Sequence, residues 1–379
     1  MPEDNFNLIR PYTDEEMQAA IPRIVSDAGY NPMMNFLFTE EEKNAITKEI
    51  GNAKTINDFQ KSFTLKCINA IVEKTAKSNT CSGLENIDPT KSYLFMGNHR
   101  DIALDSSILG QQIINEGITP PSMTWGNNLE VSPFIVDLGK SNQMITVFRD
   151  GSPKEILRSS QRLSLYINKM ISSLERSIWI AQSKGRTKDG RDHTDPSILK
   201  MLILSGDRNI KQAILDLNII PVTISYELEP CGGMKVREVF LSQQEKYVKD
   251  VDEDLHSILG GFMMQKGGIH LAIGTPINDL VKNISDNLNN NETLHEVANI
   301  IDLQTHKNYK LWPTNYLAYD LLEKGQRFED TYDNKTKEDL EARCQLVYDV
   351  IDGDKEELRR LFYLMYANPV YSKIKGGFL

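Results

Sequence analysis

The sequence contains no long apolar run. A helix that crosses a membrane needs about 20 mostly apolar residues in a row, and no stretch of this chain approaches that composition. The first residues, MPEDNFNLIRPYTDEEM, are acidic and lack the apolar segment of a signal peptide. We therefore expect a cytoplasmic protein without a transmembrane segment, whose only contact with a membrane would be peripheral, at the inner surface.

Cysteine is scarce and scattered. The four cysteines form no closely spaced pair, which argues against a disulfide framework and against a structural zinc site. The six histidines are equally dispersed, without the HExxH pattern of a zinc hydrolase. From these two residue types we expect reduced thiols, no metal site and no bound cofactor.

Positive charge is in the minority. Lysine and arginine number 43 against 53 aspartates and glutamates, so the formal net charge is -10. Domains that bind nucleic acid are usually basic, and the composition argues against that class. An anionic substrate would have to be bound by a local basic cluster in an otherwise acidic protein.

Apolar runs and helical segments alternate through the middle of the chain. Short apolar runs that are typical of buried strands occur at 92–97, 144–148, 177–182, 218–228 and 269–277. Segments with helical periodicity, each beginning near a proline or ending at a glycine, occur at 105–117, 153–175 and 195–206. This alternation predicts an α/β fold with a layered, mostly parallel sheet flanked by helices.

The two ends of the chain have a different pattern. Residues 1–90 are mostly helical in character, and 58–77 places apolar side chains at four-residue spacing. After residue 280, a polar and asparagine-rich stretch leads into further helical periodicity. We predict a helical N-terminal region at 1–90, the α/β domain at 91–280 and a helical C-terminal region at 281–379.

A polar cluster follows the first predicted strand. Asn98, His99, Arg100 and Asp101 come directly after the apolar run, and Asp105 opens the next helix. Open α/β sheets place their sites at the carboxyl ends of strands, and histidine is the commonest general base near neutral pH. His99 is therefore a candidate base, and Asp105 a candidate for the carboxylate that orients it. A polar turn in which Asp105 only caps a helix would explain the same residues.

Basic residues follow two further strands. Arg149 lies at the end of the second strand, in VFRDG, and the segment 184–188, KGRTK, follows the third. Arginine suits bidentate phosphate binding, and a glycine beside it lets the backbone approach a ligand. A solvated basic loop is the alternative interpretation. Pro221 lies within the fourth apolar run, which predicts an edge strand or the start of a strand.

In their order along the chain, these features resemble the four motifs of the phospholipid/glycerol acyltransferase family. They are NHR with the later aspartate, VFRDG, KGRTKDG after a strand, and IIPVTIS. The similarity covers roughly residues 91–280. It implies an O-acyltransferase of phospholipid synthesis, which moves a fatty acyl group from acyl-CoA or acyl carrier protein to a hydroxyl group. The acceptor would be glycerol 3-phosphate or a lysophospholipid such as lysophosphatidate, at the membrane surface.

The resemblance also implies roles by position. His99 matches the catalytic base of the family and Asp105 its carboxylate partner, with Asp101 as the fallback carboxylate.

The other motifs imply contacts with substrate. Arg149, Gly185 and Arg186, together with Lys184, match the phosphate-binding positions. Pro221 matches the proline that shapes the wall of the acyl pocket. No metal is implied.

Two positions depart from the family pattern. Five residues separate His99 from Asp105, where the family usually has four, and Lys184 stands where its third motif usually has glutamate. The lysine keeps open a different acceptor, such as a lyso-aminolipid without phosphate. The longer spacing keeps open a lipid-binding or acyl-carrier-binding protein without catalysis. A thioesterase, with water in place of the acceptor, is a third alternative.

Overall fold

The structure is a computed structural model that describes residues 3–205, 209–244, 246–250 and 253–379. Within them lie seven strands: β1 Ala76–Ser82, β2 Leu94–Gly97, β3 Ser122–Gly126, β4 Met144–Val147, β5 Ile178–Ala181, β6 Ile219–Tyr226 and β7 Gly267–Ile273. They form one sheet in the order β1-β7-β6-β2-β5-β3-β4. Neighbouring strands are parallel except β6 and β7, which are antiparallel. The predicted α/β class with a mostly parallel sheet is therefore confirmed.

The α-helices of the described residues surround this sheet. They are α1 Asp14–Ser26, α2 Tyr30–Leu37, α3 Glu40–Gly51, α4 Ile56–Phe59, α5 Leu65–Thr75, α6 Leu104–Asn115, α7 Pro133–Ser141, α8 Pro153–Ser172, α9 Pro196–Leu202, α10 Ile210–Asp216, α11 Gly232–Ser242, α12 Glu253–Met263, α13 Asn278–Lys282, α14 Asn290–Asn308, α15 Pro313–Glu323, α16 Asn334–Gln345 and α17 Lys355–Lys375. Gly206, the predicted end of the helix that begins near residue 195, lies outside the described residues. None of the helices in the described ranges is both long and apolar enough to pass through a bilayer.

Strand β2 shows why the sheet needs helices on both faces. Phe95 points into a core that the sheet shares with α1–α6, whereas Leu94 and Met96 point into a second core with α8–α10, α13 and α14. Because side chains alternate across a strand, a sheet buried on both faces is apolar at every position. All four residues of β2 are buried. A third apolar cluster joins α11 to α15, α16 and α17.

Two strands do not follow from the sequence pattern. The segment AKSNTCS is polar, yet it forms β1 at the edge of the sheet, where only β7 pairs with it. It lies within the mostly helical region 1–90 and adds a strand to the sheet of the central region. Strand β3, SMTWG, is short and has no apolar run.

Pro221 lies in the interior of the sheet. Its strand, β6, runs between β2 and β7, so the expectation of an edge strand is wrong. The expectation of a strand start fits better, because pairing with β7 begins one residue later, at Val222 with Ile273. The carbonyl of Pro221 accepts a hydrogen bond from the N–H of Gly274, just beyond the end of β7. The missing N–H of Pro221 therefore faces the end of the pairing between β6 and β7, where its absence costs no hydrogen bond between the strands.

Candidate active site

The site begins at the carboxyl end of β2. The side-chain amide of Asn98 donates to the carbonyl of Ile224 over 3.0 Å and accepts from the N–H of the same residue over 2.8 Å. Asn98, the residue after β2, is thus held to β6 by its side chain, which makes the two bonds that a paired strand residue makes with its backbone. The next residue, His99, is thereby held at the rim of the sheet with its ring at the surface of a cavity.

Gly97 makes room for the aromatic neighbour of His99. A Cβ atom at this glycine would lie 2.6 Å from the indole Nε1 of Trp179, which is closer than atoms can approach. Trp179 lies on the neighbouring strand β5 and packs edge-on against the imidazole, with 5.8 Å between ring centres. The position of the His99 ring thus depends on Gly97, the last residue of β2, having no side chain.

The structure brings His99 and Asp105 together. The imidazole Nδ1 lies 3.0 Å from Oδ2 of Asp105, which occupies the first turn of α6 and is 3% exposed. A carboxylate at Nδ1 assigns the proton to that nitrogen and leaves Nε2 free to accept one. The phenol of Tyr226 donates to the other oxygen over 2.9 Å. Burial, followed by the charge of Asp105, raises the pKa of Tyr226 well above its ordinary value, so the phenol keeps its proton.

Asp101 lies in the turn between His99 and Asp105. Its Oδ1 accepts the N–H groups of Ala103 and Leu104, each at 2.9 Å, and so shapes the turn that leads into α6. The hydrogen bonds found for Asp101 are these two side-chain bonds and the one from its own N–H to Asp105. Burial, and then the charge of Asp105, raises the pKa of Asp101. The fallback carboxylate is thus a capping residue of the turn.

The first N–H groups of this turn are already occupied. Those of Arg100 and Asp101 donate to Asp105, and those of Ala103 and Leu104 donate to Asp101. A helix start is a common place for N–H groups that stabilise an oxyanion. Here these four groups donate to carboxylates instead, so they are not free to bind an oxyanion.

A cavity of about 410 Å³ opens beside His99. One part of its wall is basic and contains the predicted residues Arg149, Lys184 and Arg186, with Gly185 among them. Another part is apolar, with Ile102, Leu129, Phe148, Ile156, Ile198 and Met201. Pro221 is not among the residues that line it. The cavity wall therefore combines an imidazole, cationic groups and an apolar surface.

The cations of the cavity differ in their surroundings. Lys184 and Arg149 are exposed, and the backbone N–H of Arg149 is held by Asn127 over 3.0 Å. Arg186 is 7% exposed and donates to the hydroxyl of Ser257 over 3.1 Å, while its Nη1 has no hydrogen-bond partner in the described part of the chain. An arginine held on one side with donor capacity left on the other is suited to an oxyanion ligand.

The loop that carries Lys184 and Arg186 is attached to the turn that carries His99. The N–H of Thr187 donates to the carbonyl of His99 over 2.8 Å. Gly185 has a φ of 87°, a conformation that side chains disfavour. The glycine predicted to allow close approach of a ligand thus serves a turn that returns the loop toward His99.

Three further charged residues line the cavity: Lys188, which belongs to the basic segment 184–188, and Lys249 and Asp254, which were not predicted. Lys188 forms an ion pair with Glu238 over 2.6 Å, and burial, followed by the charge of Arg186, lowers the pKa of this lysine to about 8. Asp254 accepts hydrogen bonds from Asn128 over 2.8 Å and from Lys249 over 2.6 Å. Asp254 thus joins α12 to the segment after β3 across the cavity. The separation of these residues along the chain hides both contacts from sequence reasoning.

Arg100, the neighbour of the histidine, is completely buried and bridges two acids. Its guanidinium lies 2.5 Å from Asp192 and 3.0 Å from Glu229, and it also donates to the carbonyl of Gly190. Lys235 supplies a second cation to Glu229 over 2.5 Å. The network ties the loop after β5, part of which lines the cavity, to the segment after β6.

Metal ligands are not grouped in the described part of the chain. No three or more histidine, cysteine or carboxylate side chains there come together in a way that could hold an ion.

Together, the sheet and the site define an α/β protein with a histidine–carboxylate pair at a strand end, facing a partly basic and partly apolar cavity. Neither a protein-family model nor a curated protein matches the sequence. Among solved structures, the chain is similar to the 1-acyl-sn-glycerophosphate (LPA) acyltransferase from Thermotoga maritima, with a TM-score of 0.37 and 12% sequence identity. The match covers 76% of this chain and 94% of the other.

Proposed function

We propose that this protein is an O-acyltransferase that transfers a fatty acyl group from a thioester to the hydroxyl of a phosphorylated glycerol or lysophospholipid. The observation that carries the proposal is the pair of His99 and Asp105 beside a cavity whose wall also contains Arg149, Lys184 and Arg186, for which the described residues show no ion pair. The donor would be acyl-CoA or acyl carrier protein, which enters as a co-substrate.

The proton chemistry follows from the tautomer. With Nδ1–H bound to Asp105, Nε2 of His99 accepts the proton of the acceptor hydroxyl as its oxygen attacks the thioester carbonyl carbon. The carbon–sulfur bond then breaks, and the leaving thiolate takes the proton back from the imidazolium. The carboxylate of Asp105 stabilises the charged ring between these two steps. The ester, the free thiol and the neutral histidine are the products, and no acyl-enzyme is required.

The cations favour a phosphorylated acceptor over an unphosphorylated one. Nη1 of Arg186 has no hydrogen-bond partner among the described residues, and Arg149 and Lys184 lie in the same wall. Phosphate binding at these groups would fix the acceptor and thereby place its hydroxyl at the base. The carboxylate of Asp254, the acidic group in the lining, is already bound by Lys249, so an acceptor ammonium has less to gain there.

The test is thiol release from a long-chain acyl-CoA, measured with and without glycerol 3-phosphate or lysophosphatidate. Wild type is compared with His99→Ala, and His295→Ala serves as the control because it removes an exposed histidine on α14. Release that requires both an acceptor and His99 supports the proposal. Acyl carrier protein is the second donor if acyl-CoA gives no release.

The alternatives predict different results in the same assay. Release that needs His99 but no acceptor would identify a thioesterase. Transfer to an unphosphorylated lyso-aminolipid in preference to its phosphorylated counterpart would identify the other acceptor class. No release with either donor, together with lipid binding that His99→Ala leaves unchanged, would identify a binding protein without catalysis.

A further inference from the structure

Tyr226 is the last residue of β6, and its phenol reaches the carboxylate of Asp105 at the start of α6. The ring is fully buried in the core that the sheet shares with α1–α6, where Leu104 and Ile108 of α6 also lie. Its hydroxyl donates to Oδ1 of Asp105 over 2.9 Å, although the two residues are 121 positions apart in the chain. The phenol thus attaches the carboxylate that faces the imidazole to a central strand of the sheet.

The two oxygens of Asp105 have different partners. Oδ2 accepts from Nδ1 of His99 and from the N–H groups of Arg100 and Asp101, whereas Oδ1 accepts from Tyr226. Among the described residues, the phenol is the one hydrogen-bond donor found for Oδ1. A carboxylate held at Oδ2 alone can still turn about that atom. The bond at Oδ1 supplies the second point, and two points fix the direction in which the carboxylate faces the imidazole.

The neighbouring carboxylate has no donor of this kind. Oδ2 of Asp101 is buried without a hydrogen-bond partner in the described part of the chain, and it lies against Gly261, where a Cβ atom would come within 2.2 Å of it. Burial, and then the charge of Asp105, raises the pKa of Asp101. Hydrogen-bond donors favour the ionised form of the carboxylate that accepts them. The phenol of Tyr226 is therefore one of the groups that favour negative charge at Asp105, beside His99, over negative charge at Asp101.

We propose that Tyr226 is a positioning residue that acts on His99 through Asp105. The phenol fixes the carboxylate and draws part of its negative charge away from the imidazole. It thereby sets both the orientation of the ring and the stability of the imidazolium. This role rests on the proposed function in one respect, because the imidazole is taken to be the base. Tyr226 is not among the residues that line the cavity, so it touches no reacting atom.

Other titratable groups surround the pair on several elements. Asp101 lies in the same turn, and the groups near it or near the phenol are Arg186 after β5, Glu229 and Cys231 after β6, Lys235 on α11 and Lys266 before β7. The cavity that His99 lines adds Arg149, Lys184, Lys188, Lys249 and Asp254. A substitution at a tyrosine leaves all of these groups in place. A change in the titration of His99 then reports on the phenol.

The experiment is an NMR titration of His99 in the full chain, labelled with histidine that carries 13C at Cε1. His99→Asn identifies the signal by its loss. The test variant is Tyr226→Phe, which removes the hydroxyl and keeps the ring. The matched control is Tyr30→Phe, because Tyr30 is 2% exposed and its hydroxyl is bound to Thr47 over 2.8 Å, on α2 and outside the cavity lining. Thermal unfolding of each variant shows whether the fold is intact.

The midpoint of the His99 titration should rise in Tyr226→Phe. Without the phenol, the carboxylate of Asp105 turns more of its charge to the imidazole, and the imidazolium becomes more stable. We expect a rise of about 0.5 pH unit or more, with no change in Tyr30→Phe. An unchanged or lower midpoint in folded Tyr226→Phe overturns the proposed role, as does an equal rise in the control.

A second variant tests the same hydrogen bond if Tyr226→Phe does not fold. Replacing Tyr226 with 3-fluorotyrosine keeps the hydroxyl and makes it a stronger donor, because fluorine makes the phenol more acidic. The midpoint of the His99 titration should then fall below the wild-type value. The same replacement at Tyr30 should leave the midpoint unchanged. A wild-type midpoint with 3-fluorotyrosine at position 226 contradicts the proposed role.

Failure of this role and failure of the proposed function are distinguishable. In the thiol-release assay, the acid limb of kcat should move upward in Tyr226→Phe along with the NMR midpoint, while KM for the acceptor stays at the wild-type value. If wild type releases no thiol but the midpoint still depends on Tyr226, the proposed function fails and the positioning role stands. If thiol release depends on His99 but Tyr226→Phe changes neither the acid limb nor the midpoint, the reverse holds.

Discussion

Oδ2 of Asp105 lies 3.0 Å from Nδ1 of His99 and accepts two backbone N–H groups as well. One oxygen atom thus orients the imidazole ring and holds the turn from which that ring projects. The carboxylate does both because the turn between the two residues brings the N–H groups of Arg100 and Asp101 to the same atom. The longer spacing between histidine and aspartate is therefore compatible with a working pair.

Asp105→Asn should lower kcat by about a hundredfold or more, while the fold is kept. The amide oxygen can still accept from the imidazole and the two backbone N–H groups, but the amide nitrogen cannot accept the bond that Tyr226 donates to the other oxygen, and the charge that stabilises the imidazolium is lost. Asp101→Asn is the control, because Asp101 caps the turn and makes no bond to the imidazole. The measurement is the initial rate of thiol release with saturating acceptor. A larger effect of Asp101→Asn than of Asp105→Asn would transfer the orienting role to the fallback carboxylate.

The affinity for a phosphorylated acceptor should depend on pH through Lys188. Burial, and then the charge of Arg186, lowers the pKa of this lysine to about 8. Below that pH the ammonium is charged and attracts phosphate, and as pH rises through that value the charge is lost. KM for glycerol 3-phosphate should therefore rise over this window in wild type. Lys188→Arg should flatten the rise, because arginine stays charged there. An equal pH dependence in both proteins would remove Lys188 from the phosphate site.

The central strands could be predicted from the sequence because they are buried on both faces. The edge strand β1 could not. Every residue of β2 and β6 is buried, so the apolar runs alone indicate strands. Strand β1 is half exposed and polar, and it pairs on one side only, so its sequence carries no such pattern. It forms because β7 offers an unpaired edge, which is a property of the assembled sheet.

The site divides in a similar way between local and distant contacts. His99 and Asp105 follow one strand directly, so their proximity depends on a single turn. The ion pair of Arg100 with Glu229 joins residues 129 positions apart. Asp254 lies on α12, which follows β6 in the chain. Such contacts depend on how the elements pack, and no spacing in the sequence indicates them. The phosphate-binding and base roles stay predictions until activity is measured.

Arg100→Met should cost about 3–5 kcal/mol in the free energy of unfolding. The guanidinium lies between Asp192 and Glu229 in a fully buried position, and its removal leaves these acids without their shared cation. Adding Asp192→Asn should recover part of the loss, because one uncompensated carboxylate is then neutral. Urea unfolding at neutral pH gives both values. A loss below about 1 kcal/mol for Arg100→Met, as for an exposed ion pair, would show that the network does not hold the two segments together.

Gly190→Ala should destabilise the fold much more than the same substitution at another glycine with a similar backbone conformation. Gly190 has a φ of 80° and lies in the loop after β5, and a Cβ atom there would come within 2.1 Å of the carbonyl oxygen of Met365 on α17. Gly117, with a φ of 74° and open space around it, is the matched control. Both substitutions incur the cost of a left-handed conformation, about 1–2 kcal/mol.

Only Gly190→Ala must also displace the helix, which should add about 1–3 kcal/mol as in other overpacked sites. The displaced helix carries Asn368, whose side chain donates to the carbonyl of Asp189 over 2.6 Å in the same loop. We therefore expect Gly190→Ala to raise KM for the acceptor as well as to lower the midpoint of urea unfolding. Equal unfolding midpoints for the two alanine variants would mean that α17 does not press on the loop, and that the C-terminal helices leave the cavity unaffected.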